Sequence, residues 1–370
     1  MEDILILRNE IEEMLKESED LSGFRFFIWG TGNTTSLYQE GLNRLSSEGR
    51  ITIEGYCDNN SSKWGTQVFG KRVWAPSELM KIADEVLILV SSPQPEIIKA
   101  IGTQLNGLGI KWRHIDDYIL KSHASEVLSC FDLFDDEKSK RVYAELIRCR
   151  LKGCYPREEF IDRDQYFSFR DYGEYDANEV FIDCGAFVGD TIESYISHKD
   201  GTFKKIIAFE PDSQNISAME ARLKRLKREW NISDNKIEIF PYGISDKSAV
   251  FFVERYDANN GFGSKIVSGN GDSVEECKVV SIDETIKEPY TFLKADIESY
   301  EYKLLLGAKA TIAKYEPKIA ICIYHNAVDF YSIPLLLKQI NPHYKFAIRH
   351  YTHVMSDSVV YAYTTLSEED

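Results

Sequence analysis

The sequence predicts an α/β protein with two sheets, one in each half of the chain. Three observations predict this fold class: short apolar runs alternate with helical stretches, glycines follow two of those runs, and the chain has 370 residues. A chain of this length exceeds the usual size of one domain, so we expect two domains, each with its own core. Strands that alternate with helices form parallel sheets, so both domains should be of this kind.

The first half of the sequence predicts a small Rossmann-like domain over residues 1–120. Residues 4–17 have helical periodicity, and the apolar runs at 24–29, 51–57 and 85–91 predict strands. A glycine turn and a helical stretch separate the first two strands, which makes a βαβ unit. A charged helical connector and a loop are expected over 121–175. The aperiodic stretch that forms this loop runs from 162 to 178, into the start of the second domain.

The second half predicts a domain over 176–370 with seven strands. The apolar runs that predict them lie at 179–184, 205–210, 236–241, 291–296, 318–324, 345–350 and 358–363. The loop between the last two is too short for a helical crossover, so we expect these two strands to be antiparallel.

Composition excludes several classes of protein. The net charge of −16 disfavours nucleic acid as a partner, and no apolar run reaches the roughly 18 residues that a membrane span needs. The first residues are acidic and lack a secretory signal, so a cytoplasmic location is expected. Seven cysteines without a CxxC pair predict reduced structural thiols. Association into a homo-oligomer is left open.

A candidate cofactor site follows the first strand of the second domain. That strand ends at Asp183, and Gly185, Ala186 and Gly189 lie where the chain must turn into a helix. The strand after this helix ends at Glu210, a position from which a carboxylate can accept both ribose hydroxyls of an adenosine. Together these features predict binding of a nucleotide or of S-adenosylmethionine (SAM).

Methyl transfer is favoured over hydride transfer for this site. The turn has the form D-x-G-x-x-x-G, and SAM has no pyrophosphate for a helix N-terminus to hold. Asp183 would then lie near the cationic methionyl part of SAM. A seven-stranded sheet with a reversed last strand is also the arrangement that separates methyltransferases from dehydrogenases.

Residues 180–362 resemble the FkbM family of SAM-dependent methyltransferases. The matching segments are Phe181–Ala186, Phe209–Pro211, Gly243–Asp246, Ser281–Asp283, Phe292–Glu298, Glu301–Ala308 and Tyr324–His325. The resemblance implies O-methylation, mostly of sugar and polyketide-type hydroxyls, with SAM as cofactor. The resemblance implies cofactor binding by Asp183, Gly185, Ala186, Glu210, Pro211, Ser245 and Asp246. The pattern of the turn and the first turn of the next helix adds Gly189 and Thr191 to this set. The chain departs from the family at Phe187, where Asn is common, and at Ser299, where Gly is common.

Three residues at the ends of the fourth and fifth strands are candidates for catalysis. Methylation of a hydroxyl usually needs a base within hydrogen-bond reach. Asp296 is the first candidate for base or positioning residue, and His325 is the second. Glu298 lies two residues after Asp296 along the same edge. Arg349 and His350 could bind the acceptor. Oxygen and imidazole ligands of this set, together with Asp283, could attract a divalent ion, but nothing in the spacing demands one and no metal is expected.

The first domain contains a weaker nucleotide fingerprint. Gly30 and Gly32 follow a strand and Asp58 ends the next one, but Thr35 stands where a third glycine is usual. Residues 24–110 contain the segments Ile53–Asn60, Gly65–Val73 and Ser77–Leu79. Through these segments they resemble the N-terminal domain of PglD-type sugar acetyltransferases, which implies that the domain holds the nucleotide of an activated sugar. Bound NAD, or a purely structural or dimerising role, are the alternatives.

The sequence therefore favours an O-methyltransferase that acts on a sugar, nucleotide-sugar or glycan precursor. A SAM- or nucleotide-binding regulatory or scaffold protein without turnover is the first alternative. A nucleotide-sugar oxidoreductase that uses NAD at the first glycine turn is the second.

Overall fold

The computed structural model describes residues 2–17, 19–167, 177–255, 264–267 and 274–364. The chain forms two compact units. The first comprises Met1–Asp162, Ile323–Leu335 and Ala347–Ser358, and the second comprises Arg163–Cys322, Leu336–Phe346 and Val359–Asp370. Within the described ranges, no helix combines the length and the apolar character needed to cross a membrane.

The first unit is built on a six-stranded sheet. Its elements are α1 (Glu2–Leu15), β1 (Arg25–Trp29), α2 (Asn33–Ser47), β2 (Ile53–Cys57), β3 (Gln67–Val68), β4 (Lys71–Trp74), α3 (Pro76–Leu79), β5 (Val86–Val90), α4 (Pro95–Gly107), β6 (Lys111–His114), α5 (Ile115–Ser122), α6 (Ala124–Leu133) and α7 (Glu137–Lys152). The strand order is β3-β4-β2-β1-β5-β6, and the strands are parallel except for the β3–β4 pair. Strand β5 is buried along its whole length, as expected for a parallel strand covered on both faces.

The three strands expected in the first half are all present, but β3, β4 and β6 were not predicted. These strands lie at or next to the edges of the sheet, and β4 and β6 contain Lys71, Arg72, Lys111 and Arg113. Charged edge strands avoid pairing with other chains. For the same reason they lack the apolar run by which a central strand is recognised in a sequence.

The remaining elements form a second large sheet and a smaller one. In chain order they are β7 (Val180–Cys184), α8 (Asp190–His198), β8 (Lys205–Phe209), α9 (Ser213–Glu229), β9 (Ile237–Phe240), β10 (Gly243–Ile244), β11 (Ala249–Arg255), β12 (Ser264–Val267), β13 (Val274–Val280), α10 (Ile282–Thr285), β14 (Phe292–Ala295), α11 (Glu301–Gly307), α12 (Lys309–Tyr315), β15 (Lys318–Cys322), α13 (Asp329–Ile340), β16 (Lys345–His350) and β17 (Ser358–Tyr363).

The large sheet confirms the predicted architecture of the second half. Its order is β16-β17-β15-β14-β7-β8-β9, so each of the seven expected strands is present in the described part of the chain. Strands β15, β14, β7, β8 and β9 are parallel, and β17 runs antiparallel to β15. The carboxyl ends of the parallel strands therefore meet at one edge, where the candidate site residues follow β7, β8 and β14.

A four-stranded sheet of order β10-β13-β11-β12 was not predicted. It lies in the chain between β9 and β14. Along the end of β13, Cys277 and Val279 are buried whereas Glu276 and Lys278 are exposed. This alternation leaves β13 without a continuous apolar run, so it resembles a polar loop in the sequence. Strand β11, in contrast, does contain an apolar run over residues 249–253, and it was still not predicted.

The predicted connector and loop are only partly described. Helices α6 and α7, which fall within 121–175, belong to the first unit. The loop expected at 162–178 is described at residues 162–167 and 177–178, and its central residues, 168–176, lie outside the described part of the chain.

Candidate cofactor and catalytic site

The glycine turn after β7 is held against two neighbouring strand ends. Gly185 and Gly189 have φ angles of 79° and 77°, in the left-handed region that favours glycine. The N–H groups of Gly185 and Ala186 both donate to the carbonyl of Phe209 at 3.0 Å. A Cβ atom on Gly185 would collide with the carbonyl oxygen of Asp296. The turn therefore requires glycine at position 185 for its backbone conformation and for close packing.

Glu210 lies beside this turn and is almost completely buried. Its Oε2 accepts the N–H of Phe187 at 2.9 Å, and its Oε1 accepts from Asp212 N at 2.9 Å and from Asn215 Nδ2 at 3.1 Å. Burial raises the pKa of Glu210, and these three donors oppose the rise. A carboxylate has about four acceptor positions, so Oε2 keeps capacity for a further donor.

Asp183 forms a buried ion pair with Lys294. The two residues are directly opposite each other on β7 and β14, and Lys294 Nζ lies 2.9 Å from Asp183 Oδ1. The same ammonium donates to the carbonyl of Gly185 at 2.9 Å. Burial raises the pKa of Asp183, against the opposing effect of Lys294. Lys294 is therefore the cation that pairs with Asp183 in this structure. A contact between Asp183 and the methionyl group of SAM stays a prediction.

The loop after β14 contains an unusual backbone. Glu298 and Ser299 are consecutive and have φ angles of 55° and 74°, although neither is glycine. Such left-handed residues each cost on the order of 1–3 kcal/mol and are concentrated at functional sites. The loop is held by Glu301, which is fully buried and whose Oε1 accepts the N–H of Ile297 at 2.8 Å.

Asp296 is the first residue after β14, and its carboxylate is held by a tyrosine that the sequence did not single out. Tyr166 donates its hydroxyl to Asp296 Oδ2 at 3.1 Å, and its own N–H donates to the hydroxyl of Tyr361 at 3.2 Å. Its ring also lies 5.4 Å from Lys294 Nζ. Tyr166 comes from the loop expected at 162–178. That loop is rich in tyrosine but has no periodicity, so nothing in the sequence distinguished Tyr166 from its neighbours.

The other implied cofactor residues lie in elements next to the turn. Thr191 is in the first turn of α8, and Pro211 precedes Asp212, which caps α9. Ser245 is buried after β10, and its hydroxyl donates to Asp246 at 3.0 Å. Their contacts with a cofactor stay predictions.

His325 follows β15 by three residues and belongs to the first unit. It is buried, and its ring packs on Tyr324 with centroids 4.0 Å apart. Asp283, which we considered as a metal ligand, accepts the N–H groups of Ala310 and Thr311 at 2.9 and 2.8 Å. Its carboxylate therefore caps the beginning of α12.

Arg349 and His350, the candidates for binding the acceptor, have structural partners in the first unit. His350 has no exposed surface, and its Nδ1 lies 2.8 Å from the hydroxyl of Ser358. Arg349 donates to the hydroxyl of Ser139 at 2.6 Å and pairs with Asp136 at 3.4 Å. In this structure an acceptor could reach His350 only if the interior opened.

The glycine turn of the first unit is closed by a hydrogen-bonded cluster. Gly30 has a φ angle of 96°, and Gly32 precedes α2 without a side-chain cap. Asp58 Oδ2 accepts the hydroxyl of Thr31 at 2.5 Å, and Lys63 donates to the same hydroxyl at 2.8 Å. Burial raises the pKa of Asp58, but these neighbours outweigh it and lower the pKa overall.

A large parallel sheet with an antiparallel last strand, a glycine turn after β7 and an acid after β8 together define the class I methyltransferase fold. Residues 183–346 match the model of the methyltransferase FkbM domain, which supports a methyltransferase. Residues 24–115 match the model of the C2185-like N-terminal domain. The finer resemblance of this region to PglD-type enzymes stays a prediction.

One solved structure has a similar fold over nearly the whole chain. Methyltransferase FkbM from Methylobacillus flagellatus KT is 17% identical, with a TM-score of 0.54, and the match covers 98% of each chain. An rRNA methylase from Streptococcus thermophilus is 14% identical over 52% of this chain and 90% of its own, with a TM-score of 0.32. A SAM-dependent methyltransferase from Aquifex aeolicus is 10% identical over 52% of this chain and 85% of its own, with a TM-score of 0.30. Among curated proteins, the sequence has no significant match.

Proposed function

We propose that the protein is a SAM-dependent O-methyltransferase that acts on a hydroxyl of a sugar, nucleotide-sugar or glycan precursor. The observation that carries the proposal is the hydrogen bond from Phe187 N to Glu210 Oε2. It joins the glycine turn to the acid at the end of β8, so the two features predicted to hold the cofactor form one site. A likeness of fold alone would not require this contact.

Glu210 would hold the adenosine ribose of SAM, and Gly185 to Gly189 would allow the backbone to approach the cofactor closely. Bound SAM supplies an electrophilic methyl group on a positively charged sulfur. The partly open Oε2 of Glu210 can accept a ribose hydroxyl without giving up its bond to Phe187. Thr191, Pro211, Ser245 and Asp246 lie in the neighbouring elements and would complete the cofactor site.

Either Asp296 or, as the competing candidate, His325 would serve the acceptor hydroxyl. Each follows the carboxyl end of one of two adjacent parallel strands, β14 and β15. The hydrogen bond from Tyr166 fixes the orientation of the Asp296 carboxylate. A fixed carboxylate or a neutral imidazole can take the proton that the hydroxyl loses. Glu298, on the left-handed part of the loop after β14, would line the same edge.

The contacts of the first glycine turn favour methyl transfer over the oxidoreductase alternative. An NAD-binding acid must accept ribose hydroxyls. Asp58 already accepts from Thr31 Oγ1 and Asn60 N, and Lys63 lies 3.4 Å from Oδ2. With three of its roughly four acceptor positions in use, Asp58 could not accept both ribose hydroxyls without giving up a partner. Binding of a nucleotide-linked sugar by Gly30, Gly32 and Asp58 therefore stays a secondary proposal.

Calorimetric titration of the whole protein with S-adenosylhomocysteine, NAD and UDP-glucose tests the assignment. We expect binding of S-adenosylhomocysteine and no heat with NAD. Binding of NAD without binding of S-adenosylhomocysteine would replace the proposal with the oxidoreductase alternative. Transfer of radiolabel from methyl-labelled SAM to a pooled glycan-precursor fraction then separates an enzyme from a scaffold protein without turnover.

A further inference from the structure

Two cysteines lie side by side at the carboxyl end of helix α7. The helix ends at Gly153, whose φ and ψ angles of 57° and 56° are left-handed, and Cys154 N donates to the carbonyl of Cys149 at 3.1 Å. This is the Schellman arrangement, in which the side chains on either side of the glycine come into contact. The hydrogen bond also keeps the two Cα atoms within roughly 7 Å of each other, a separation that a disulfide can span.

One guanidinium group contacts both sulfur atoms. Arg148 Nη1 lies 3.2 Å from Cys154 Sγ, and Arg148 Nη2 lies 3.5 Å from Cys149 Sγ. The two thiols also hydrogen-bond to each other. Glu145 accepts from Arg148 Nε at 2.9 Å and from Nη2 at 2.6 Å, which fixes the plane of the guanidinium. The two sulfur atoms are therefore held next to each other by a single oriented cation.

A small molecule can reach both cysteines from the same cavity. Cys149 and Cys154 line a cavity of about 230 Å³, and all its lining residues belong to the first unit. Cys154 is half-buried and Cys149 is buried. Since a water molecule takes up about 30 Å³ of the liquid, a cavity of this size admits a peroxide. The other five cysteines, all within the described ranges, are buried and do not line the cavity.

Burial and charge assign different roles to the two thiols. Burial raises the pKa of the Cys149 thiol, so this group stays protonated. Cys154 is the more accessible of the two, and the guanidinium of Arg148 can stabilise negative charge on its sulfur. The thiolate is the form of cysteine that attacks an oxidant. Cys154 is therefore suited to react first, and Cys149 to react second.

From this arrangement we infer that Cys149 and Cys154 form a redox modification site, in which a peroxide oxidises Cys154 and Cys149 then closes a disulfide with it. The site lies within the first unit and uses no contact with the cofactor turn. It is therefore independent of the proposed methyl transfer.

The reaction balances with hydrogen peroxide as the only co-reactant. The Cys154 sulfur attacks one oxygen, the O–O bond breaks, and a sulfenic acid and one water are formed. The Cys149 sulfur then attacks the sulfenic sulfur, the S–O bond breaks, and hydroxide leaves with the Cys149 proton as a second water. Two electrons pass from the two thiols to the peroxide.

Mass spectrometry of the wild-type protein tests this site. Treatment with hydrogen peroxide should lower the mass of the whole protein by about 2 Da, because two thiol hydrogens are lost. Trypsin cleaves after Arg150 and Lys152, so the two cysteines fall in separate peptides unless a disulfide joins them. We expect one joined peptide pair that contains Cys149 and Cys154. Dithiothreitol should restore both the mass and the separate peptides.

A variant of the second cysteine tests the order of the two steps. In Cys149→Ala the disulfide cannot form, so we expect a sulfenic acid at Cys154 that dimedone traps. Cys130→Ala is the matched control, because Cys130 is a buried thiol on the neighbouring helix α6 and does not line the cavity. It should form the disulfide at the wild-type rate. Circular dichroism shows whether both variants fold, and the peptide map of the wild-type protein does not depend on them.

Three results would overturn the inference. The wild-type protein could keep all its thiols free after peroxide treatment, or the joined peptides could contain a cysteine other than these two. In a folded Cys149→Ala variant, dimedone could label a cysteine other than Cys154.

Discussion

At the scale of single residues, the ion pair between Lys294 and Asp183 has a structural role that can be separated from cofactor binding. Lys294→Met leaves a carboxylate buried without its cation, which costs about 3–5 kcal/mol in comparable pairs. We expect that loss in the free energy of unfolding measured in urea. The double variant Asp183→Asn, Lys294→Met removes both charges and should recover part of it. No recovery would mean that packing rather than charge dominates at this pair.

Glu210 carries the cofactor assignment. Hydrogen bonds to a charged group contribute roughly 1.5–3 kcal/mol each, so Glu210→Ala should weaken binding of S-adenosylhomocysteine about tenfold or more. Glu210→Gln keeps the shape of the side chain and should lose less. Circular dichroism must show that both variants fold, because Glu210 also accepts from Phe187, Asp212 and Asn215. A folded alanine variant with wild-type affinity would contradict the assignment.

The two candidate bases predict different kinetic effects. If His325 is the base, His325→Ala should lower turnover by roughly 10²–10⁴-fold with little change in SAM affinity. Asp296→Asn should change both turnover and SAM affinity, because the backbone of Asp296 packs against Gly185 of the cofactor turn. Steady-state kinetics on the acceptor, with calorimetry of SAM binding, measures both. Normal turnover by both variants would exclude them as catalytic residues.

At the scale of elements, the loop after β14 can be relieved of backbone strain. A left-handed residue other than glycine costs roughly 1–2 kcal/mol, whereas glycine also lowers stability by roughly 0.5–1 kcal/mol through chain entropy. Ser299→Gly should therefore stabilise the protein by about 0.5–1 kcal/mol in thermal unfolding. Ser197→Gly, within α8, is the control and should destabilise it by a similar amount. Destabilisation by both would show that the contacts of buried Ser299 outweigh its strain.

At the scale of the whole molecule, buried His350 makes stability depend on pH. Burial lowers the pKa of His350 to about 4, and backbone hydrogen bonds oppose only part of that effect. In the unfolded chain His350 has its ordinary pKa near 6.5. Between pH 4 and pH 6.5, His350 is therefore protonated in the unfolded chain but not in the folded chain. Stability should therefore be complete above pH 6.5 and fall by about 3 kcal/mol as the pH drops to about 4.

Urea unfolding between pH 4 and 7 measures this dependence. Tryptophan fluorescence suits the experiment, because Trp29, Trp64, Trp74 and Trp112 lie in the first unit and Trp230 in the second. The slope of the free energy of unfolding against pH should be smaller in the His350→Gln variant, because the glutamine amide does not titrate. An unchanged slope in that variant would assign the pH dependence to other groups.

Much of the fold was predictable because its causes are local. Buried parallel strands such as β5 and β7 are continuous apolar runs, and a glycine turn follows a strand wherever the backbone must adopt a positive φ angle. These features identified the seven strands of the large sheet, the reversed β17, the turn at Gly185 and the acid Glu210. The edge strands were missed because strands with an exposed face have no such run. The four-stranded sheet was missed although its strand β11 contains an apolar run over residues 249–253.

What the sequence by itself determined is therefore the alternation of elements and the positions of the residues that end each strand. Tertiary structure decided which side chains meet: Lys294 pairs with Asp183, Tyr166 reaches Asp296, and His325 lines a cavity with Tyr38 of the first unit. It also decided that residues 323–335 and 347–358 belong to the first unit. The two residues of each pair, Lys294 and Asp183, Tyr166 and Asp296, and His325 and Tyr38, are more than 100 residues apart in the sequence. A local pattern of polar and apolar residues contains no information about contacts at that range.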